Sequence, residues 1–230
     1  MNVPSERLVL LETSGRVGRV GLADGVRVLA ERQLDEARRH ARDLAPALRD
    51  LLHEANWQPM DITTVVVSRG PGSYTGLRVG LMSAKAFAYA VRCSVLAIDT
   101  FAILAQQIGV VAIEVIEDAQ QDRIYCQRFE MDPLGRGPKA AGELRIQPFP
   151  EWLQQLPEGV PVTGPGLFKF ADRLPPGRAI ARELWTPRLD TLHRLASDRL
   201  ARGERDDLWR LEPLYARPSA AEEQWQRLGR

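Results

Sequence analysis

The β-branched run Ile62 to Val67 leads directly into Ser68-Arg69-Gly70-Pro71-Gly72-Ser73-Tyr74-Thr75-Gly76-Leu77-Arg78-Val79-Gly80, and no other stretch of the chain restricts the fold as much. A strand must end there, turn sharply through glycines and enter a helix that spans about Thr75 to Val91. Within that helix Gly76, Gly80, Ala84 and Ala88 recur every four residues, and Ser83 and Ala90 widen the same bare face. Each glycine inside a helix costs about 1 kcal/mol relative to alanine, so a helix that keeps two of them needs a close contact in return. Two contacts fit. One is the backbone of a partner chain; the other is the chain's own first helix, which presents Ala37, Ala41 and Ala45.

Glycine-rich turns at a helix N-terminus can also cradle an anion, because their backbone amides point outward and no side chain blocks approach. The spacing here matches neither common fingerprint. A P-loop needs Lys after Gly, and a dinucleotide loop needs Gly where this chain has Thr75. Ser73 directly follows Gly72, so it is not the nucleophile of a G-x-S-x-G elbow either.

On both sides of this segment the pattern alternates between strand and helix. Leu8 to Glu12, Val17 to Leu22 and Val26 to Leu34 read as three strands joined by tight turns. Asp35 to Ala55 carries Ala37, Ala41, Leu44, Ala45, Leu48, Leu51, Leu52 and Ala55 on one helical face, with Pro46 inside it as a possible kink. Val95 to Ile98 reads as a strand, followed by a helix over about Thr100 to Gln107. After Gly109 the sequence starts again. Val110 to Ile116 and Arg123 to Glu130 form a hairpin, Pro148 to Leu156 a short helix, Val160 to Thr163 a strand before Gly164-Pro165-Gly166, and Leu189 to Arg202 a final amphipathic helix. This repetition predicts an α/β protein of two similar lobes, residues 1–109 and a smaller unit 110–230 whose tail, from Arg205, packs only in part.

Composition narrows the functions open to such a fold. Thirty-one Lys plus Arg against 30 Asp plus Glu leave a net charge of +1, far from the basic excess of a broad nucleic-acid footprint. Any RNA contact would be local, and the tail residues Trp209, Arg210, Tyr215, Arg217 and Trp225 are its candidates, although they would equally cap the second lobe. Two cysteines, Cys93 and Cys126, make no disulfide framework. Neither a signal-like leader nor a run of about 18 apolar residues is present, so the expected compartment is the cytoplasm. Of the three histidines, His40 and His53 share a helix but stand thirteen positions apart and His193 lies far downstream, so no pair is spaced for one metal ion.

The run Gly70 to Gly80 closely resembles the GPGSFTGLRIG signature of the bacterial TsaB family (YeaZ-type) of tRNA threonylcarbamoyladenosine biosynthesis proteins, with Tyr74 and Val79 as conservative departures. The resemblance extends to Leu10-Leu11-Glu12-Thr13-Ser14, similar to the family's opening I-D-T-S strand, to His40, to Asp118-Ala119-Gln120, similar to D-A-R, and to Leu214-Tyr215-Ala216-Arg217, similar to a closing Y-x-R segment. It implies a two-lobed actin-like ATPase fold (ASKHA, ribonuclease H-like) with a reduced second lobe. The implied role is that of a non-catalytic partner that pairs with the transferase TsaD through its first two helices, is joined by the ATPase TsaE, reaches tRNA only through the complex and self-associates in isolation. On that reading the partner-binding residues are Ala37, Ala41, Leu44, Leu48, Gly76, Arg78, Gly80, Ala84 and Ala88.

The resemblance also implies what the chain lacks. TsaD-like enzymes hold a metal with an H-x-x-x-H pair on the first helix, whereas here His40 is followed by Asp43 and Leu44, so no catalytic or metal-binding residue is expected. Glu12, Thr13, Ser14, Asp118, Gly164 and Gly166 are left as a remnant nucleotide site, with Glu12 in place of the usual Asp and Gln120 in place of the usual Arg. No cofactor is expected on the chain itself, with ATP possible in the complex. The alternative is an actin-like ATPase or kinase-like enzyme with its own nucleotide site. A peptidase would need a nucleophile–base pair or a zinc pair, and neither is visible.

Overall fold

The computed structural model describes residues 6–34, 40–133, 135 and 137–215. Its first sheet is built from β1 (Leu8–Glu12), β2 (Arg19–Ala23), β3 (Val28–Gln33), β4 (Thr64–Ser68) and β5 (Ser94–Ile98), in the order β3-β2-β1-β4-β5. The run β1, β4, β5 is parallel and the hairpin β1, β2, β3 antiparallel. β1 and β4 lie in the centre and are buried along their whole length, which explains their uninterrupted apolar sequence. β3, on the rim, is mostly exposed and polar, as an unpaired edge requires.

Alternation divides the sheet between two helical layers. Val9, Leu11, Val65, Val67 and Val95 face α1 (His40–Glu54) and α2 (Tyr74–Val91). Leu8, Leu10, Val66, Leu96 and Ile98 face α3 (Thr100–Ile108). Leu44, Leu48, Leu51 and Leu52 put one stripe of α1 into the first layer, and Pro46 sits on its exposed side without dividing the helix.

The second sheet repeats the plan in shorter form. β6 (Ala112–Asp118) and β7 (Arg123–Met131) form a hairpin. The third position is shared by two strands, β8 (Pro138–Ala140) and β9 (Arg145–Pro148), each paired with a different part of β7. After α4 (Phe149–Gln155), β10 (Val162–Thr163) returns parallel to β6. The order β10-β6-β7-β8 therefore matches β4-β1-β2-β3. β10 leads into the single turn α5 (Leu167–Phe170) as β4 leads into α2. Both exits are Gly-Pro-Gly, and the first glycine of each, Gly70 and Gly164, has φ +113°, a backbone conformation that side chains rarely allow. This is the two-lobed actin-like arrangement with a reduced second lobe.

One expectation needs correction. The final helix, α6 (Leu189–Ala201), was assigned with residues 110–230, yet Leu189, Leu192, Leu195, Ala196 and Leu200 pack beside α3 on the first sheet. The physical reason is that α3 gives that face only Ile103 and turns Phe101, Leu104 and Ala105 to the second sheet, and Gly21 on β2 admits the new helix, since a Cβ there would lie 2.8 Å from Leu189 Cδ1. The following strap, residues 204–215, also belongs to the first lobe. Asp206 forms a bridge with Val95, its Oδ2 accepts from Ala97 N at 2.7 Å, and the β5 edge is thereby closed. Leu211 then enters the core on the α2 side, and Lys85 Nζ donates to the carbonyls of Trp209 and Leu211. Leu211→Ala should cost about 2–4 kcal/mol in a urea titration, as for other buried Leu→Ala changes, whereas exposed Trp209→Ala should cost little.

Candidate functional site

The glycine-rich turn is assembled by the strands on which it rests. β4 ends at Ser68, Arg69 pairs with Asp99 at 2.5 Å, and Ser73 caps α2 by accepting a hydrogen bond from Gly76 N. The β1 exit, Glu12-Thr13-Ser14, lies directly beneath. Ser73 N donates to Ser14 O at 2.7 Å, and Thr13 Oγ1 donates to Gly76 O at 2.8 Å. A Cβ at Gly72 would stand 2.5 Å from Ser14 O; one at Gly76 would overlap Thr13 O, and one at Gly80 would overlap Thr13 Oγ1.

This geometry corrects the partner-binding assignment. Gly76, Gly80, Ala84 and Ala88 face inward and are buried; the close approach that Gly76 and Gly80 permit is to Thr13 at the chain's own β1 exit, and Ala84 and Ala88 join the core shared by the sheet and α1. Leu44 and Leu48 are likewise core residues. Ala37 lies outside the described residues, as do Ala216, Arg217 and Trp225. Of the assigned set, Arg78 is on the surface. Its guanidinium lies 4.2 Å from the centre of the Tyr74 ring, and its Nε donates to Tyr215 Oη at 2.8 Å, while Tyr74 and Tyr215 stack at 4.8 Å.

The outward face of α2 is apolar as well. Met82 and Tyr89, seven positions apart and so on one stripe, are 61% and 66% exposed. Trp209 of the strap, 73% exposed, meets Tyr89 edge-on at 5.6 Å. Ala86 and Ala90 complete this side. The sequence reading did not single out these residues because it followed the glycine pattern; Met82 and Tyr89 lie opposite the bare stripe and were legible there.

The remnant nucleotide residues fall into two groups. Glu12, Thr13 and Ser14 share the turn under α2. Glu12 Oε1 accepts from Ser14 N at 2.7 Å and from Ser14 Oγ at 2.5 Å. Burial pushes the Glu12 carboxyl above its ordinary value, against the opposing pull of the hydrogen bonds from Ser14, of the nearby Ser68 hydroxyl and of Arg19. The amides of Ser14, Ser73 and Gly76 all have partners inside the turn, so these three are not free to hold a phosphate.

Asp118, Gly164 and Gly166 share the end of the second sheet. Lys169 Nζ sits 2.9 and 3.1 Å from the two Asp118 oxygens and Gln120 N donates to Oδ1, so α5 supplies the cation that Gln120 does not. Gly164 and Gly166, just after β10, pack against the end of β6, with Gly166 N donating to Ile116 O at 3.1 Å. Beside them, burial raises Glu117 to about 7. Among the described residues no three of His, Cys, Asp and Glu gather as a metal site. His193 is buried on α6 and bonds Asp24 O and Ser197 Oγ, and His53 lies on the exposed side of α1. No described helix is long and apolar enough to cross a membrane.

Comparison with known proteins agrees with this architecture. The family profile described as TsaD, tRNA N6-adenosine threonylcarbamoyltransferase, matches residues 27–152. Along its sequence the chain is 24% identical to the tRNA threonylcarbamoyladenosine biosynthesis protein TsaB of Escherichia coli, over 96% of this chain and 98% of that protein. It is 28% identical to TsaB of Bacillus subtilis over 54% of this chain and 55% of that one. The solved structure of YeaZ from Pseudomonas aeruginosa superposes with a TM-score of 0.76 at 27% identity, covering 91% of this chain and 99% of that one.

Proposed function

The chain belongs to the TsaD family, whose profile spans more than half of it, and from that premise we propose that it serves threonylcarbamoyladenosine formation in tRNA as a non-catalytic partner of a TsaD-type transferase. The observation that carries the reading is the outward face of α2, where Met82, Ala86, Tyr89 and the strap's Trp209 expose apolar surface although the inner face of the same helix is fully packed. The occupant is a helix pair of the TsaD-type partner. The matched segment contains α1 and α2, so a relative sharing that profile carries an equivalent pair, and two related faces can pack about a pseudo-two-fold axis. Self-association in isolation would use the same face. An ATPase such as TsaE, with its ATP, and the tRNA join at the level of the complex. The internally bonded turn at Glu12-Thr13-Ser14 supports a partner over a second nucleotide-hydrolysing enzyme.

The test is Met82→Asp combined with Tyr89→Ser. Both side chains are exposed, so the circular dichroism spectrum and Tm should stay near wild type, while affinity for the TsaD-type partner falls at least about tenfold. Unchanged co-elution of the variant with that partner would refute the docking face. Robust tRNA modification by the transferase without this chain would refute the partner role itself.

A further inference from the structure

Behind the glycine-rich turn, on the α3 and α6 side of the first sheet, three buried side-chain oxygens have no hydrogen-bond partner: Glu12 Oε2, Ser68 Oγ and Thr100 Oγ1. Their residues are 1%, 0% and 2% exposed. The strand register places two of them side by side. Leu11 is level with Val67 in the parallel β1–β4 pair, so the next residues, Glu12 and Ser68, are neighbours on one face. Thr100 opens α3, with its backbone N donating to Gly70 O two residues beyond Ser68.

Since the two hydroxyls carry protons of their own, the group that needs satisfying is Glu12 Oε2, and a cation, a bridging water or a proton of its own would do so. Calcium needs six to eight oxygen ligands and magnesium an octahedral set, and Glu12 Oε1 is already bonded to Ser14, so one carboxylate oxygen and two hydroxyls are too few. We propose that Glu12 is held as a neutral carboxylic acid in the folded chain, with the proton on the otherwise unpartnered Oε2, so that the seat of the glycine-rich turn is a proton-binding site. Of the charged groups around it, Arg19 pulls against that state, and the others are engaged with partners of their own. Arg19, level with Glu12 on β2, is turned to Glu31 at 3.4 Å. Arg69 and Asp99 pair with each other. On α6, His193 bonds Asp24 O and Ser197 Oγ, and Arg199 bonds Glu204 and Ala97 O. A carboxyl in such a site resists ionisation because burial penalises its charged form.

The consequence is a definite sign of pH dependence. A carboxyl that stays protonated when folded but ionises when unfolded above about 4.5 makes the folded state lose stability as pH rises from that value, until the folded group itself ionises. Glu12→Gln mimics the neutral acid and removes this loss. The Tm difference, variant minus wild type, should be near zero at about pH 4 and grow to several degrees in favour of the variant by about pH 8. A variant less stable than wild type at neutral pH, with a gap that closes on acidification, would overturn the proposal, because that is the behaviour of an ionised and stabilising carboxylate. Infrared spectroscopy decides independently of how the Glu12→Gln variant folds. In a Glu117→Gln background, which removes the other burial-raised carboxyl among the described residues, a protonated C=O band should persist at neutral pH, and its absence would overturn the assignment.

Discussion

Gly76→Ala should destabilise the chain by about 3 kcal/mol or more in urea, with the protein unfolding at a markedly lower midpoint. Alanine returns about 1 kcal/mol of helix propensity, but its Cβ would have to occupy the place of Thr13 O. That oxygen is backbone, on the residue that leaves a β1 strand clamped between β2 and β4, so it has little room to retreat. Gly80→Ala meets instead the hydroxyl of Thr13, a side-chain atom. Combined with Thr13→Ala it should therefore recover a good part of its loss, while Gly76→Ala in the same background should not. If Gly76→Ala stays within about 1 kcal/mol of wild type, the inward packing of α2 is wrong and its small-residue face must be sought at the surface.

The second large effect is expected in the other lobe. Glu114 is 5% exposed at its side chain and accepts from Arg128 Nε at 2.9 Å, the two residues being directly opposite in the β6–β7 hairpin. Arg128→Leu leaves that carboxylate buried and unpaired. Removing one partner of a buried pair costs about 3–5 kcal/mol, and since a third of the arginine side chain is exposed the lower end applies. Pairing the change with Glu114→Leu should restore most of the stability, because an apolar pair of similar volume needs no compensating charge. A single-variant cost below about 1 kcal/mol would mean that water reaches Glu114.

Much of the fold was legible in the sequence because periodicity and turn chemistry agree. The strand at Leu8 to Glu12, the helix after the glycine-rich turn, the restart near Gly109 and the strand before Gly164 all lie where alternation and glycine placed them. The two helix faces of α2 were not separable in this way. A row of glycines and alanines states only that something comes close, and a β-strand exit from sixty residues upstream satisfies it as well as another molecule does. The same limit applies to Arg128 and Lys169, whose partners are fixed by a hairpin register and by a one-turn helix. The likeness of Glu12-Thr13-Ser14 to a phosphate turn was visible, but only coordinates reveal that the Ser14 amide is taken by Glu12.

The placement of α6 and the strap on the first sheet sets the order in which the protein can be made. The elements that finish the first lobe are translated after the whole of the second, and Arg205 closes onto Glu6 at 2.8 Å, nearly two hundred residues earlier in the chain. During synthesis the nascent first lobe must wait with the α6 side of its sheet uncovered until residue 201 has left the ribosome, while the second lobe, contiguous in sequence, is free to form first. A fragment ending at residue 109 would carry that exposed face permanently and should collect in inclusion bodies.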